Sequence, residues 1–204
     1  YTPAMQTSQR LNLFRESVIR DMTRLALKHN AINLSQGFPD FDTPAPVKEA
    51  AVRAIENGLN QYAITWGYPP LREKLAELYT QRLGWDVQPD KHVTVTCGVS
   101  EGIITSVQSI LNPGDEIIIL EPAHDNFRPS AFIANAVPVS VPLEAPDYRL
   151  EAARLRAAVS PKTKAMLLNT PHNPTGRVFD DEEIAGVIEV VLENDLVLIT
   201  DEIY

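Results

Sequence analysis

EIIIL at residues 116–120 and LVLIT at residues 196–200 carry apolar side chains at consecutive positions rather than at alternate ones. A strand with one wet face alternates polar and apolar residues, so an unbroken run implies burial on both faces. Three more runs, HVTVTC (92–97), VPVSV (137–141) and AMLLN (165–169), have the length and β-branched content of strands. Helical stretches are predicted between these runs, near residues 101–111, 126–135, 150–159 and 181–194. Strands that alternate with helices and are covered on both sides predict an α/β fold, a mainly parallel sheet flanked by helices.

Upstream of this region the pattern is different. Residues 1–30 read as a polar start followed by an amphipathic helix, in which Arg15, Arg20 and Arg24 form a solvated stripe. AINLSQGFPDFDTP (31–44) reads as a short strand and then a loop, interrupted by Gly37, Pro39 and Pro44. Helices are expected at about 45–58 and 70–84. The first has Thr43 and Pro44 as its N-cap and first residue and stops at Asn57-Gly58. The chain divides on this reading into an arm and part of a smaller domain (1–43) and the first part of a larger domain (44–204).

The 204 residues are 44% hydrophobic and 22% charged, enough for a substantial core. A net charge of −9 with scattered basic residues excludes a general nucleic-acid surface. No apolar run approaches a membrane span, and residues 1–30 lack the hydrophobic centre of a signal peptide. The single cysteine, Cys97, excludes an internal disulfide and a cysteine-built metal site. It reads as a small buried residue at a strand end, consistent with a reducing cytoplasm.

Ligands of open α/β sheets sit just past the carboxyl ends of strands, so the residues there matter most. HVTVTC is followed by Gly98-Val99-Ser100-Glu101 and an apolar helix. A glycine turn opening a helix exposes backbone N–H groups that suit a phosphate, although Ser100 also reads as a simple N-cap. EIIIL is followed by Glu121-Pro122-Ala123-His124-Asp125-Asn126-Phe127, where His124 or Phe127 could stack on a flat ring. AMLLN is followed by Thr170-Pro171-His172-Asn173-Pro174-Thr175-Gly176, whose two X–Pro bonds are candidates for cis geometry. LVLIT is followed by Asp201, Glu202 and Tyr204, and a carboxylate at a buried strand end needs a cationic or hydrogen-bonding partner. The sequence stops at this point, where a ligand site would still be under construction, and reads as the front portion of a longer protein.

The order strand–GVSEG–helix, E-P-x-x-D-x-F, N-T-P-x-N-P-T-G and D-E-I-Y resembles the class I/II aminotransferases, the pyridoxal-phosphate-dependent transferases of fold type I. INLSQGFPDFDTP, NQYAITWGYPPLREKLAE and NPGDEIIILEP are similar to that family's arm and linking elements, so the resemblance runs from about Ser17 to Tyr204. It is closest to the branch holding kynurenine/glutamine and aspartate-like aminotransferases.

The resemblance implies pyridoxal 5′-phosphate as cofactor, and an α-amino acid and a 2-oxo acid as substrates. Asp201 would pair with the ring nitrogen of the cofactor. Tyr204 and Asn173 would hydrogen-bond the ring's 3′-oxygen, and Asn173 would also meet the substrate carboxylate. Val99 and Ser100 would hold the phosphate. Tyr62 would reach the phosphate of a neighbouring subunit, implying a homodimer, and Gly37 would lie close to the substrate carboxylate. Phe38, Tyr62 and Trp66 are candidates for the side-chain pocket.

Two departures from the family pattern matter. His124 stands where relatives carry Tyr or Phe, and a polar, titratable ring there could redirect the chemistry toward a lyase or an oxygen-using enzyme. The lysine that joins the cofactor covalently has no counterpart among Lys28, Lys48, Lys74, Lys91, Lys162 and Lys164. That lysine and a carboxylate-binding arginine are expected after Tyr204, so the chain as written should not catalyse. A non-catalytic fragment or degenerate relative is the third reading.

Overall fold

A computed structural model describes residues 7–37 and 39–204. They fall into two compact units, one of residues 7–15 with 97–204 and one of residues 16–37 with 39–96.

The first unit is built on a four-stranded parallel sheet: β1 (Glu116–Glu121), β2 (Val137–Pro142), β3 (Thr163–Asn169) and β4 (Val197–Asp201). Its order is β2-β1-β3-β4, with Ile118 opposite Val139 and Met166, and Asn169 opposite Asp201. Successive strands are separated by α6 (Phe127–Ile133), α7 (Ala152–Ala158) and α8 (Asp181–Glu193), and α5 (Val99–Ile110) precedes the sheet. Alternate residues of β1 and β3 feed opposite layers. Ile117, Ile119, Ala165 and Leu167 pack with Ile103 and Val107 of α5 and Phe127 and Ala131 of α6. Ile118, Leu120, Met166 and Leu168 pack with Leu155 of α7 and Val187 and Val190 of α8. The doubly apolar run of β1 is what allows one strand to serve both layers.

Local chemistry sets the helix ends. A reciprocal capping box starts α8: Asp180 Oδ1 accepts the Glu183 N–H at 2.9 Å, and Glu183 Oε2 accepts the Asp180 N–H at 2.9 Å. Glu183 is buried and also accepts the Leu150 N–H at 2.9 Å and the Arg177 guanidinium at 2.7 Å. Burial pushes this carboxyl up. The two N–H groups and the arginine together outweigh that push and hold it below the usual carboxylate range.

The second unit holds α1 (Val18–His29), α2 (Ala45–Glu56), α3 (Pro69–Leu83) and α4 (Pro89–His92). Arg20 and Arg24 of α1 are exposed, as a solvated stripe requires, and Arg24 pairs with Glu16 and with Asp21, whereas Arg15, also exposed, precedes the helix and falls in the first unit. Among the described residues of this unit the buried ones are Arg72 and Ala76 of α3. Arg72 donates to the Pro89 carbonyl at 2.9 Å and to Asp90, tying α3 to α4.

Several expectations need correcting. HVTVTC is not a strand: Pro89 opens α4, which takes in His92, and no strand pairs with residues 93–97 among the described residues. Val93 is extended, but the Val95 N–H donates to the Trp66 carbonyl in a turn rather than to a ladder. Cys97 is exposed, because an unpaired segment has no layer to cover it. LVLIT does not have both faces covered, since β4 lies at a sheet edge with Val197 and Thr200 exposed. Residues 31–36 form no strand, and α2 begins at Ala45 as expected but with Pro44 rather than Thr43 as its N-cap. No helix among the described residues is long and apolar enough to cross a membrane.

Candidate functional site

The order β2-β1-β3-β4 changes direction between β1 and β3, and a crevice outside the carboxyl ends of the strands is expected at such a point. A cavity of about 220 Å³ lies there, within the first unit.

One end of the cavity is the start of α5. Gly98 is its N-cap at φ 81, a conformation that favours glycine, although nothing lies near enough to block a Cβ. No side chain caps the helix, so Ser100 is not the cap. Glu101 reaches back to the Cys97 N–H. Val99 and Ser100 line the cavity in the first turn, where N–H groups have no intrahelical acceptor and the helix dipole is positive.

The segment after β1 supplies a wall. The His124 and Phe127 rings lie 5.6 Å apart at 48°, and His124 Nδ1 accepts the Asn126 N–H at 3.3 Å. Phe127 is buried in the layer under α5 and α6, so it backs the imidazole instead of replacing it.

The ends of β3 and β4 supply the rest. Asp201 is 8% exposed, and its Oδ1 accepts the Ile203 N–H at 3.2 Å. Asn173 Nδ2 donates to the Tyr204 hydroxyl at 2.5 Å. Both X–Pro bonds beside these residues, Thr170-Pro171 and Asn173-Pro174, are cis, as are Glu121-Pro122 and Ala145-Pro146.

Six residues to which the family resemblance assigns roles therefore meet in one cavity, Val99, Ser100, His124, Asn173, Asp201 and Tyr204, and Phe127, the other ring-stacking candidate, lines it too. Gly37 and Tyr62 belong to the other unit and are not among its lining residues; Tyr62 and Trp66 are exposed, and Phe38 lies outside the described residues. Among the described residues no lysine lines the cavity. Lys164 is exposed at the opposite end of β3, five residues or roughly 17 Å from Asn169.

Sequence reasoning missed Asn169 and Asn126. Asn169 is 2% exposed, donates from Nδ2 to the Asp201 carbonyl at 3.0 Å, and accepts the Asn173 N–H on Oδ1 at 2.7 Å. The signal for it was a polar residue closing an otherwise apolar run. Asn126 had no such signal, because an asparagine before a helix reads as a cap.

The lining offers N–H and hydroxyl donors for an anion, an imidazole face for a flat ring, a carboxylate for a protonated ring nitrogen and an amide–phenol pair for a ring oxygen. This donor set fits a phosphorylated hydroxypyridine.

The chain is 41% identical over 201 residues to the probable N-succinyldiaminopimelate aminotransferase DapC of Mycobacterium tuberculosis, covering 97% of this chain and 50% of that protein. It is 38% identical over 197 residues to human kynurenine–oxoglutarate transaminase 1, covering 90% and 47%. The solved structure of N-succinyldiaminopimelate aminotransferase from M. tuberculosis superposes with a TM-score of 0.91 at 40% identity, over 98% of this chain and 52% of that one. The chain thus spans about half the length of the curated relatives it matches. Residues 29–204 match the family model for aminotransferase class I and II, and the chain belongs to that family.

Proposed function

We propose that this chain forms the phosphate and ring cradle of a pyridoxal-phosphate-dependent aminotransferase, which moves an amino group between an α-amino acid and a 2-oxo acid. The observation that carries the reading is the buried Asp201 carboxylate in a cavity lined by no lysine or arginine. A carboxylate so placed is costly unless a cation meets it, and a protonated ring nitrogen is such a cation.

When bound, pyridoxal phosphate supplies an electron sink for the pair left on the substrate Cα as its proton departs. Asp201 keeps the ring nitrogen protonated. Asn173 and Tyr204 donate toward the ring oxygen, and Asn173 is also in place for a substrate carboxylate. Val99 and Ser100 hold the phosphate, and His124 covers one ring face. Gly37 leaves room for the substrate carboxylate, and Tyr62, exposed here, reaches the phosphate of a second subunit in a homodimer. Residues 44–204 are the first part of the large domain, with the arm of residues 1–43 in the smaller one. The low cysteine content suits a reducing cytoplasm.

Titration of the chain with pyridoxal 5′-phosphate, followed by protein fluorescence, tests the cradle. Saturable binding that Asp201→Ala weakens at least about tenfold is expected, and no binding to the wild-type chain would overturn the reading. In the whole protein, amino-acid conversion should require a 2-oxo acid.

His124 favours a second reading, a lyase or oxygen-using enzyme on the same cradle. Its Nδ1 is occupied by the Asn126 N–H, which leaves a proton on Nε2 of the neutral ring. Ammonia or peroxide released without a 2-oxo acid would favour it.

A further inference from the structure

We propose that Asn126 is the positioning residue of the phosphate seat: its side-chain amide holds Ser100 so that the serine proton is directed to an anion in the cavity. The inference rests on the cofactor reading above.

Asn126 is the N-cap of α6, a position where asparagine ordinarily turns its side chain onto the first N–H groups of its own helix. Here it makes no such bond. Nδ2 donates to Ser100 Oγ at 2.5 Å, across 26 residues of sequence. Ser100, in turn, does not cap α5, whose cap is Gly98. Two residues whose side chains ordinarily serve helix ends are thus paired with each other at the cavity wall.

The chemistry of the pair follows from the capacity of a hydroxyl, which donates one hydrogen bond and accepts two. An amide that donates into Oγ uses an acceptor position and leaves the serine proton for another oxygen. It also restricts the rotor, so the proton is presented beside the first-turn N–H groups of α5 instead of being shared among solvent directions. A phosphate oxygen is the acceptor that this arrangement suits.

A separate group of Asn126 faces the ring side of the cavity. Its backbone N–H donates to His124 Nδ1 at 3.3 Å. Substituting the side chain removes the contact to Ser100 and keeps the contact to His124, so the two ends of the cradle can be tested apart.

The test is calorimetric titration of the wild-type chain, N126A, N126D, S100A and the N126A/S100A double variant with three probes: pyridoxal 5′-phosphate, inorganic phosphate and unphosphorylated pyridoxal. N126A should weaken the two phosphate-bearing probes about tenfold and leave pyridoxal unchanged. S100A should do the same, and the double variant should bind no worse than S100A, because the amide acts through the hydroxyl. N126D can only accept and adds negative charge, so it should bind phosphate more weakly than N126A. Asn126→Ser keeps cap chemistry but lacks the reach to Ser100, and it carries the comparison should N126A fold poorly.

Losses that add in the double variant, wild-type phosphate affinity in N126D, or an equal loss for pyridoxal would each overturn the role of Asn126 while leaving the cofactor reading standing. Failure of the wild-type chain to bind either phosphate-bearing probe would overturn both.

Discussion

The side-chain amide of Asn173 donates to the Tyr204 hydroxyl at 2.5 Å, joining the loop after β3 to the segment after β4 across 31 residues of sequence. The two groups thereby share one end of the cavity and act as a unit toward whatever oxygen is placed there. Residues acting as a unit give non-additive losses. Asn173→Ala and Tyr204→Phe should each weaken pyridoxal 5′-phosphate about three- to tenfold, and the double variant should lose less than the product. Fluorescence titration of the four proteins measures the coupling, and strictly multiplicative losses would show that the pair does not act jointly.

Asn169 holds that arrangement from beneath. It is buried, and its amide satisfies both the Asp201 carbonyl and the Asn173 N–H. Asn169→Ala strands the Asn173 N–H and leaves the Asp201 carbonyl with the Thr170 N–H, and it should destabilise the chain by about 1–2 kcal/mol. Asn169→Asp keeps the acceptor for Asn173 and loses the donor to Asp201, so it tests one half of the bridge. Urea unfolding gives both values, and an unchanged midpoint for Asn169→Ala would contradict the assignment.

His172 makes stability depend on pH. The ring is buried against Phe179, at 5.7 Å, and its Nδ1 lies 2.8 Å from Thr175 Oγ1. Burial holds this imidazole below its ordinary value. The unfolded chain therefore takes up a proton first, as pH falls below about 6.5, while the folded chain does not. Stability should drop with falling pH through that window, by up to about 1.4 kcal/mol per pH unit, until the folded ring also protonates. His172→Gln should flatten this part of the curve. Thermal unfolding of both proteins at a series of pH values checks it, and identical slopes would exclude His172 as the source.

Gly67 is constrained twice. Its φ is 106, and a Cβ built there would lie 2.7 Å from Val95 Cβ. Gly67→Ala should cost about 2–3 kcal/mol, combining backbone strain with the clash. Adding Val95→Ala removes the Cγ2 contact, also 2.7 Å, but keeps the Cβ contact and the φ, so it should recover only a small part of that loss. Full recovery in the double variant would show that the backbone term is small.

What was legible in the sequence follows from which interactions are local. The doubly apolar EIIIL announced a strand covered on both faces, and periodicity with end signals placed α2, α3 and α5–α8 within a few residues. The ordered motifs identified the family and six of the cavity's residues. HVTVTC misled as a strand, and LVLIT, which does form β4, misled only about its cover, because β-branched content gives a strand's preference but not its partner or its cover. A ladder and an opposing layer come from distant chain, and only the tertiary structure shows that residues 93–97 lack the one and β4 part of the other. The same holds within the site. Residue type made Asp201, Asn173 and Tyr204 candidates from sequence, because a polar group at a buried strand end must find a partner. That Asn173 meets Tyr204, that Asn169 supports both strand ends and that Asn126 turns from its own helix to Ser100 were decided by contacts spanning 4 to 32 residues. Side-chain hydrogen bonds of this kind depend on position in space, which residue type alone does not encode.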